Sequence, residues 1–590
     1  MKRLLQNDES FPHCLTILHD FVLIICSENV LLLHEFILAF ITRQAYNSFL
    51  YGKKGNVDLS ASPYLAIYVL QHATHLRFRN QTIQGDFSVT TKNTFHKQLP
   101  LTFRIIDSPM GIGKSASLMD LIRFHNKGFD PEPLRFIVFV PTIRERDERY
   151  GAKLDLKSPA TPPYNKSILE LIRNGENIVT THSLWSIFND ETIRAFSESN
   201  YKYIALFDEV PQLFRDVVGT GHRLDEPAGS IRFGPADIKL MQQAGMVRVQ
   251  HGTIRFNPEC EYAKSDKDYK VFNAIKNLSY SCTLYPFGEK DGTFTSIIAF
   301  ARRELFACFR ECWFYSYMTE GSMLHNYCAM NHIAMEYYHI DDGRMIRNPG
   351  GKYVETYPRG IENLVILDGK PFNMDASLSK TWYHNASKDA SQAGLKELKQ
   401  KFRNAYEFMK AMGVRSDSFL FTTFNAYKNL LRSNGRHYPS LRRFLPCNTK
   451  ATNSYQNCTG VAYLCNRFFD VTCTKFLEQR AKAENNPELL FNNDNYALSE
   501  LVQFVWRSHV RVREACQPVY VWIPDRRMRT LLQDFQERAD KTLKKRALLQ
   551  GTWKSRPVTP NLKRRLARSN RKKADLYHAF AMLKAKRFLL

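Results

Sequence analysis

From about residue 101 onward, short runs of β-branched and aromatic residues alternate with stretches of helical spacing. Residues 103–106, 136–140, 177–180 and 203–207 each supply four or five positions of buried-strand character, with helical or loop segments between them. Runs of that length suit the central strands of a parallel sheet covered on both faces, where neither side of the strand meets water. A second set follows at 364–367, 419–422, 461–464 and 519–522, so the pattern predicts two α/β domains in tandem. Ahead of them, residues 11–50 repeat Leu, Ile and Phe at three- and four-residue steps and read as one or two apolar helices, and the polar, Thr-rich stretch 85–100 marks a boundary. Residues 215–265 and 321–355 show no clean periodicity and yield no assignment.

Composition narrows the class. The chain has 590 residues, 44% of them hydrophobic, enough to bury several cores, which excludes global disorder. Its 27 Gly and 25 Pro follow no internal period, which excludes collagen-like and repeat architectures. Lys and Arg outnumber Asp and Glu by 83 to 58, a formal charge of +25. That excess is concentrated: residues 541–590 hold 16 Lys and Arg against one acid, Asp575, a local charge of +15 that leaves +10 for the rest. A basic segment of this kind is an electrostatic footprint for a polyanion, nucleic acid above all. Trp553, Tyr577 and Phe580 within it suit either base stacking or the packing of a short helix. The most apolar stretch, residues 15–42, is interrupted by Asp20, Glu28 and Glu35, so no membrane span is expected and a cytoplasmic location is. The 12 Cys are scattered without a Cys-x-x-Cys pair, in keeping with a reducing compartment. Cys308 and Cys312 followed by His325, Cys328 and His332 approximate a zinc-finger spacing, but Ser316 and Ser322 stand where a finger needs an aromatic and a Leu.

The chemistry is carried by two strand ends. Strand 103–106 runs into Asp107-Ser108-Pro109-Met110-Gly111-Ile112-Gly113-Lys114-Ser115, and 116–124 reads as a helix. Strand, glycine loop, Lys-Ser and helix is the context of a Walker A phosphate loop. Gly111 and Gly113 would let backbone N–H groups turn toward phosphates, and the following helix adds the positive end of its dipole. Lys114 would reach the β- and γ-phosphates and the Ser115 hydroxyl would ligate Mg²⁺. Residues 108–115 (Ser108, Pro109, Met110, Gly111, Ile112, Gly113, Lys114 and Ser115) are therefore the expected binding loop for ATP, with Ser108 where the first Gly is usual. The strand ending at Phe207 delivers Asp208-Glu209-Val210-Pro211, a Walker B pattern. Asp208 would hold the Mg²⁺ shell, and Glu209 would orient and polarise the attacking water.

Together these motifs resemble superfamily-two DEAD/DEAH-type helicases, in which a small residue commonly replaces the first Gly, as Ser108 does. Asp208-Glu209-Val210-Pro211 is similar to the family's Asp-Glu-x-x box, although it is neither DEAD nor DEAH. Val140-Pro141-Thr142 and Thr180-Thr181-His182-Ser183 resemble its motifs on the nucleic-acid face, and 419–424 suits motif IV. Residues 451–464 resemble motif V and 498–511 motif VI of helicase-like proteins of phages, plasmids and other mobile elements. The resemblance covers 101–540 in outline. It implies two tandem RecA-like P-loop domains: an N-terminal helical extension (1–95), a first ATP-binding domain (96–330), a second helicase domain (355–540) and the basic tail (541–590). It further implies that Gln503, Arg507 and Arg511 face the γ-phosphate from the second domain. The family spaces its two arginines by three residues; here the spacing is four, so Arg507, Arg511 and Arg513 compete for the finger role. Thr142, Thr181 and Asn453 are the implied contacts to the nucleic-acid backbone. For motif III, Ser281-Cys282-Thr283 and Phe300-Ala301-Arg302 both fit.

The expectation is an ATP-dependent, Mg²⁺-requiring helicase or translocase acting on nucleic acid, single-stranded DNA favoured over RNA, that serves mobile-element replication alongside other replication proteins. The alternatives are a nucleic-acid-binding initiator or scaffold that uses nucleotide as a structural ligand, and an ATPase switch acting on proteins.

Overall fold

The computed structural model describes residues 101–549 apart from 126–133, 160–161, 186, 218–233, 258, 262–269, 432–436, 448, 450–453 and 513–516. The expected N-terminal helices, the 85–100 boundary, Asn453, Arg513 and the tail beyond 549 lie outside the described residues, all of which fall in one compact unit beginning at Gln98.

In chain order, β1 (Thr102–Asp107), β2 (Leu134–Val140), β3 (Ile178–Thr181) and β4 (Lys202–Asp208) are followed by β5 (Phe214–Asp216), β6 (Val247–Gln250), β7 (Thr253–Phe256), β8 (Cys282–Lys290) and β9 (Thr293–Ala301). Then come β10 (Glu311–Ser316), β11 (Ala334–Asp341) and β12 (Arg344–Arg347), and after them β13 (Leu364–Leu367), β14 (Phe419–Thr422), β15 (Gly460–Tyr463) and β16 (Val519–Trp522). The first sheet has the order β12-β11-β1-β10-β4-β2-β3 and is parallel except for β12. The second sheet is parallel throughout, in the order β13-β16-β15-β14. Strands β5 to β9 form a separate antiparallel sheet inserted between β4 and β10.

Cross-strand aromatic packing sets the registration of the first sheet. Phe207 on β4 stacks on Phe139 of β2 (centroids 4.6 Å apart, planes 9° apart) and on Phe314 of β10 (4.5 Å, 4°). Phe103 of β1 continues the row 4.7 Å from Phe314. All four rings are buried, and each pair adds about 0.5–1.5 kcal/mol beyond its buried area. The row ends one residue short of Asp208, so it fixes where the β4 carboxylate emerges. In the second sheet, buried Trp522 stacks on Phe402 (5.3 Å, 16°) and its indole N–H donates to the Phe372 carbonyl at 3.0 Å. The helix Val471–Glu484 carries Phe476 back into the first core, where it lies 5.6 Å from Tyr285 and 5.8 Å from Phe300. The two halves therefore share apolar packing.

Three elements differ from the sequence reading. The strand between β1 and β4 is β10, whose Cys312-Trp313-Phe314-Tyr315 core is aromatic and lacks the β-branched signature of its neighbours. Residues 215–265 contribute β5 to β7, each only three or four residues long and too short to show a period. Residues 321–355 hold the helix Met323–Met330, buried on several sides, together with β11 and β12, so the first sheet runs past residue 330 to Arg347. The Cys308 and Cys312 thiols donate to the Leu305 and Phe306 carbonyls, and burial pushes Cys308 up to about 12, which disfavours the thiolate that a metal requires.

Truncating the centre of the aromatic row tests its weight. Phe207→Ala is expected to cost about 3–5 kcal/mol in urea unfolding, as full loss of a buried ring does. A loss below about 1 kcal/mol would show that the row does not organise the sheet.

Candidate nucleotide site

The loop after β1 is built against its neighbours before any ligand is considered. Asp107 is buried and accepts from the Met318 N–H (3.1 Å), the Thr319 N–H (2.7 Å) and the Thr319 hydroxyl (2.5 Å). Ser108 is fully buried; its hydroxyl accepts from the Ile340 N–H of β11 at 2.9 Å, and its own N–H donates to Ser316 at 3.0 Å. A Gly here would lose the clasp to β11, a local reason for the departure at this position. Pro109 is buried, Ile112 packs on the first half, and Met110 packs against the core of the second half. Gly111 and Gly113 have φ of 81° and 101°, left-handed values that only Gly adopts freely. The helix Lys114–His125 follows, its Ser117 N–H bonded to Gly113 at 2.8 Å.

Lys114 spans the loop. Its Nζ donates to the carbonyls of Ser108 (2.5 Å) and Ser316 (3.2 Å), and it is partly buried. Burial pushes the ammonium down to about 8; Asp107, Asp208 and Glu209 oppose that shift, and Arg511 adds to it. The Ser115 hydroxyl donates to Asp208 Oδ2 at 3.2 Å, so the two expected Mg²⁺ ligands are side by side. Asp208 is buried and accepts from the Tyr150 hydroxyl at 2.6 Å; burial raises its pKa, which the Tyr150 bond counters. Glu209 has φ 70°, a left-handed backbone uncommon outside Gly, and its N–H donates to Tyr315 of β10 at 3.0 Å.

A turn that the sequence reading passed over completes this wall. The π-helical segment Glu145–Gly151 brings three side chains to Asp208: Tyr150, Arg149 and Glu145. Arg149 Nη1 lies 2.9 Å from Glu145 Oε1, 3.2 Å from Ser115 Oγ and 3.8 Å from Asp208 Oδ2. Burial, then the Asp208 charge, push Glu145 up to about 7, with Arg149 opposing. In sequence Glu145-Arg146-Asp147-Glu148-Arg149-Tyr150 reads as a solvated charged helix. Only the four-residue step from Glu145 to Arg149, followed by a Tyr, marks the inward face.

The opposite wall comes from the loop between the helix Asn493–Val505 and β16. The stem of Arg511 lies against Gly111: a methyl placed on that Gly would meet Arg511 Cγ at 3.4 Å and Nε at 3.5 Å. Desolvation, then the Arg149 charge, lower the Arg511 pKa. Arg507 donates through Nη2 to the Thr449 carbonyl, while its Nη1 is buried with no hydrogen-bond partner. Burial lowers the Arg507 pKa, and the Glu209 charge opposes that. Gln503 bonds within its own helix, to Ser499 Oγ at 3.1 Å. Gly360, with φ 83°, admits the Val510 carbonyl where a side chain would collide, and so seats the loop that carries Arg511.

Of the expected nucleic-acid contacts, Thr142 follows β2 and Thr181 ends β3, where it pairs with Val140. The Thr142 hydroxyl is engaged with Glu145, accepting from its N–H at 3.2 Å and donating to Oε2 at 3.3 Å. Thr181 shares a 2.7 Å bond with Ser183 at the surface. Both motif III alternatives straddle ends of the antiparallel sheet: Ser281 ends a helix and 282–283 open β8, while 300–301 close β9 and Arg302 follows it. From the end of the central strand β10, Ser316, Met318 and Thr319 meet Asp107 and the glycine loop.

Residues 361–536, which carry β13 to β16 and both arginines, match the family described as the YonV C-terminal Rossmann-like domain. The chain is thus an α/β protein with parallel sheets and a Rossmann-like domain in its second half. It is similar to the SPbeta prophage-derived uncharacterized protein YonV of Bacillus subtilis (strain 168), at 25% identity over 452 residues covering 74% of this chain and 98% of that protein. Among solved structures, one described as the structure of S. tokodaii Xpd4 aligns with 11% identity and a TM-score of 0.36, covering 74% of this chain and 94% of that one. No helix among the described residues is long and apolar enough to cross a membrane.

The Lys114 environment has a pH signature. An unfolded lysine holds its proton to about 10.4, whereas Lys114 releases it near 8, so between these values the unfolded state binds more protons and stability rises with pH. The folding cost of burying this ammonium is fully present below pH 8 and is relieved above it. Urea midpoints of the wild type and Lys114→Met should therefore shift in favour of the wild type from pH 8 to 10. A pH-independent difference would mean that the ammonium is not desolvated.

Proposed function

We propose that this chain hydrolyses ATP between two RecA-like P-loop domains and couples the hydrolysis to movement along nucleic acid, with single-stranded DNA as the favoured track. The observation that carries the reading is Arg511 of the second half lying against Gly111 of the phosphate loop, with Lys114 and Ser115 on the same loop and Asp208 at the end of β4, beyond β10 in the same sheet. The residues suit a polyphosphate: two left-handed glycines, a lysine between loop carbonyls, and a buried Arg507 N–H without a partner.

Ser115 and Asp208 would hold Mg²⁺ with phosphate oxygens and water, the sparse protein donor set this ion takes. When bound, the ion screens charge on the phosphates. The other roles belong to side chains. Glu209 accepts a proton from the attacking water as the water oxygen bonds to the γ-phosphorus, and the bond to the leaving β-phosphate oxygen breaks to give ADP and inorganic phosphate. Lys114 and an arginine from the facing wall stabilise charge on the transferring group; such an arginine contributes about 10³–10⁵ in rate in other phosphate-loop enzymes. An arginine supplied by a second body makes closure of the cleft depend on the third phosphate. Thr142, Thr181, Asn453 and the basic tail would engage the nucleic-acid backbone without sequence preference. The similarity to a prophage-derived protein favours service to a mobile element.

A second reading, a nucleic-acid-binding scaffold with nucleotide as a structural ligand, is favoured by the packing of Phe476 into the first core, which resists movement between the halves. ATP hydrolysis, titrated with single-stranded DNA, duplex DNA and RNA at two salt concentrations, separates the two. The motor reading expects stimulation by single strands and a loss of roughly 10³-fold or more in Arg511→Ala or Lys114→Ala, with salt-sensitive nucleic-acid binding retained. Hydrolysis indifferent to every polynucleotide would remove the motor, and nucleotide bound without hydrolysis would leave the scaffold.

A further inference from the structure

Arg149 has no part in the scheme above, yet it is the guanidinium closest to Ser115 and Asp208 among the described contacts. Its Nη1 touches Glu145 Oε1 at 2.9 Å and Ser115 Oγ at 3.2 Å and approaches Asp208 Oδ2 at 3.8 Å. It is presented by the π-helical turn Glu145–Gly151, a geometry that recurs at functional sites, and the next residue, Tyr150, pins that turn to Asp208 with a 2.6 Å hydrogen bond. The Arg149 charge also acts on Arg511, which packs on Gly111, so the two groups lie within electrostatic reach of each other. Two guanidinium groups within electrostatic reach repel each other, and an anion with several oxygens bound near both relieves that repulsion. Arg is suited to the task because its planar fork meets two phosphate oxygens at once.

We propose that Arg149 is the residue by which this site distinguishes a nucleoside triphosphate from a diphosphate, donating to the terminal phosphate from the same half that carries the phosphate loop. The proposal rests on the nucleotide-site reading above. In the arrangement described here Glu145 holds the guanidinium beside Ser115 and Asp208. The third phosphate competes with Glu145 for the fork, so triphosphate binding is linked to a change in the Glu145–Arg149 pair. A diphosphate, which lacks those oxygens, leaves the pair intact. Arg149 is then a specificity-determining contact that complements Arg511, one from each wall.

The test is equilibrium binding of ADP and of the β,γ-imido analogue of ATP to the full chain, by calorimetry in the presence of Mg²⁺, comparing wild type, Arg149→Met and Arg149→Lys. Arg149→Met is expected to weaken the triphosphate analogue roughly ten- to a hundredfold and to change ADP by less than about threefold. Arg149→Lys, which keeps the charge without the fork, is expected to fall between Met and wild type. Equal weakening of both ligands would assign Arg149 a merely structural role beside Asp208 and overturn the proposal, as would no change for either. If Met fails to fold, the ADP-to-triphosphate ratio of the Lys variant decides: an unchanged ratio overturns the proposal. Wild type that binds neither ligand would overturn the nucleotide reading itself, an outcome distinct from a wild type that binds both while the variants show no discrimination.

Discussion

The contact between Arg511 and Gly111 joins loops 400 positions apart in the chain, and the account of the cleft rests on it. Without it the first half would offer a lysine, a serine and two acids at its strand ends, enough to hold phosphates and nothing more. With it, a cation from the second half sits at the point where the loop turns back on its glycines. The cost is electrostatic. Lys114 and Arg511 are like charges in a partly desolvated space, and the Lys114 ammonium is depressed as a result of burial and of that neighbour. A protein gains nothing in stability by assembling such a group, which is why clusters of this kind point to a ligand of opposite charge.

The rest of the fold explains how that arrangement is held. The row Phe139–Phe207–Phe314 registers the strands on either side of β4 and delivers Asp208 and Glu209 at a fixed height. Asp107, clasped by Met318 and Thr319, ties the end of β1 to the turn after β10, and Lys114 spans the same two loops. The antiparallel sheet is inserted between Glu209 and β10, and Phe476 of the second half packs against it. The two halves are therefore joined through apolar contacts as well as through the Arg511–Gly111 contact.

Much of this was legible in the sequence where the signal is local. The glycine loop, the strands on either side of it and the Asp-Glu strand end are contiguous patterns, and they appear where the residues indicated. No local pattern says which wall an arginine will face, so Arg507 and Arg511 are singled out in the sequence only by resemblance, and of the two it is Arg511 that packs on Gly111. What escaped has physical reasons. Strand β10 is built from Cys and aromatics, so its run lacks the β-branched signature. Arg149 and Tyr150 hide in a charged segment whose inward face follows a π-helical step. Thr319 acts through a hydrogen bond to Asp107 across 212 positions, a pairing that only the sheet order reveals.

Hydrogen–deuterium exchange with and without the β,γ-imido analogue of ATP reads both walls of the site at once. If both walls hold the ligand, the analogue slows exchange in residues 107–117 and in residues 507–512 together. Protection confined to 107–117, with 507–512 unchanged at saturating ligand, would contradict a two-walled site and leave a phosphate pocket on the first half alone.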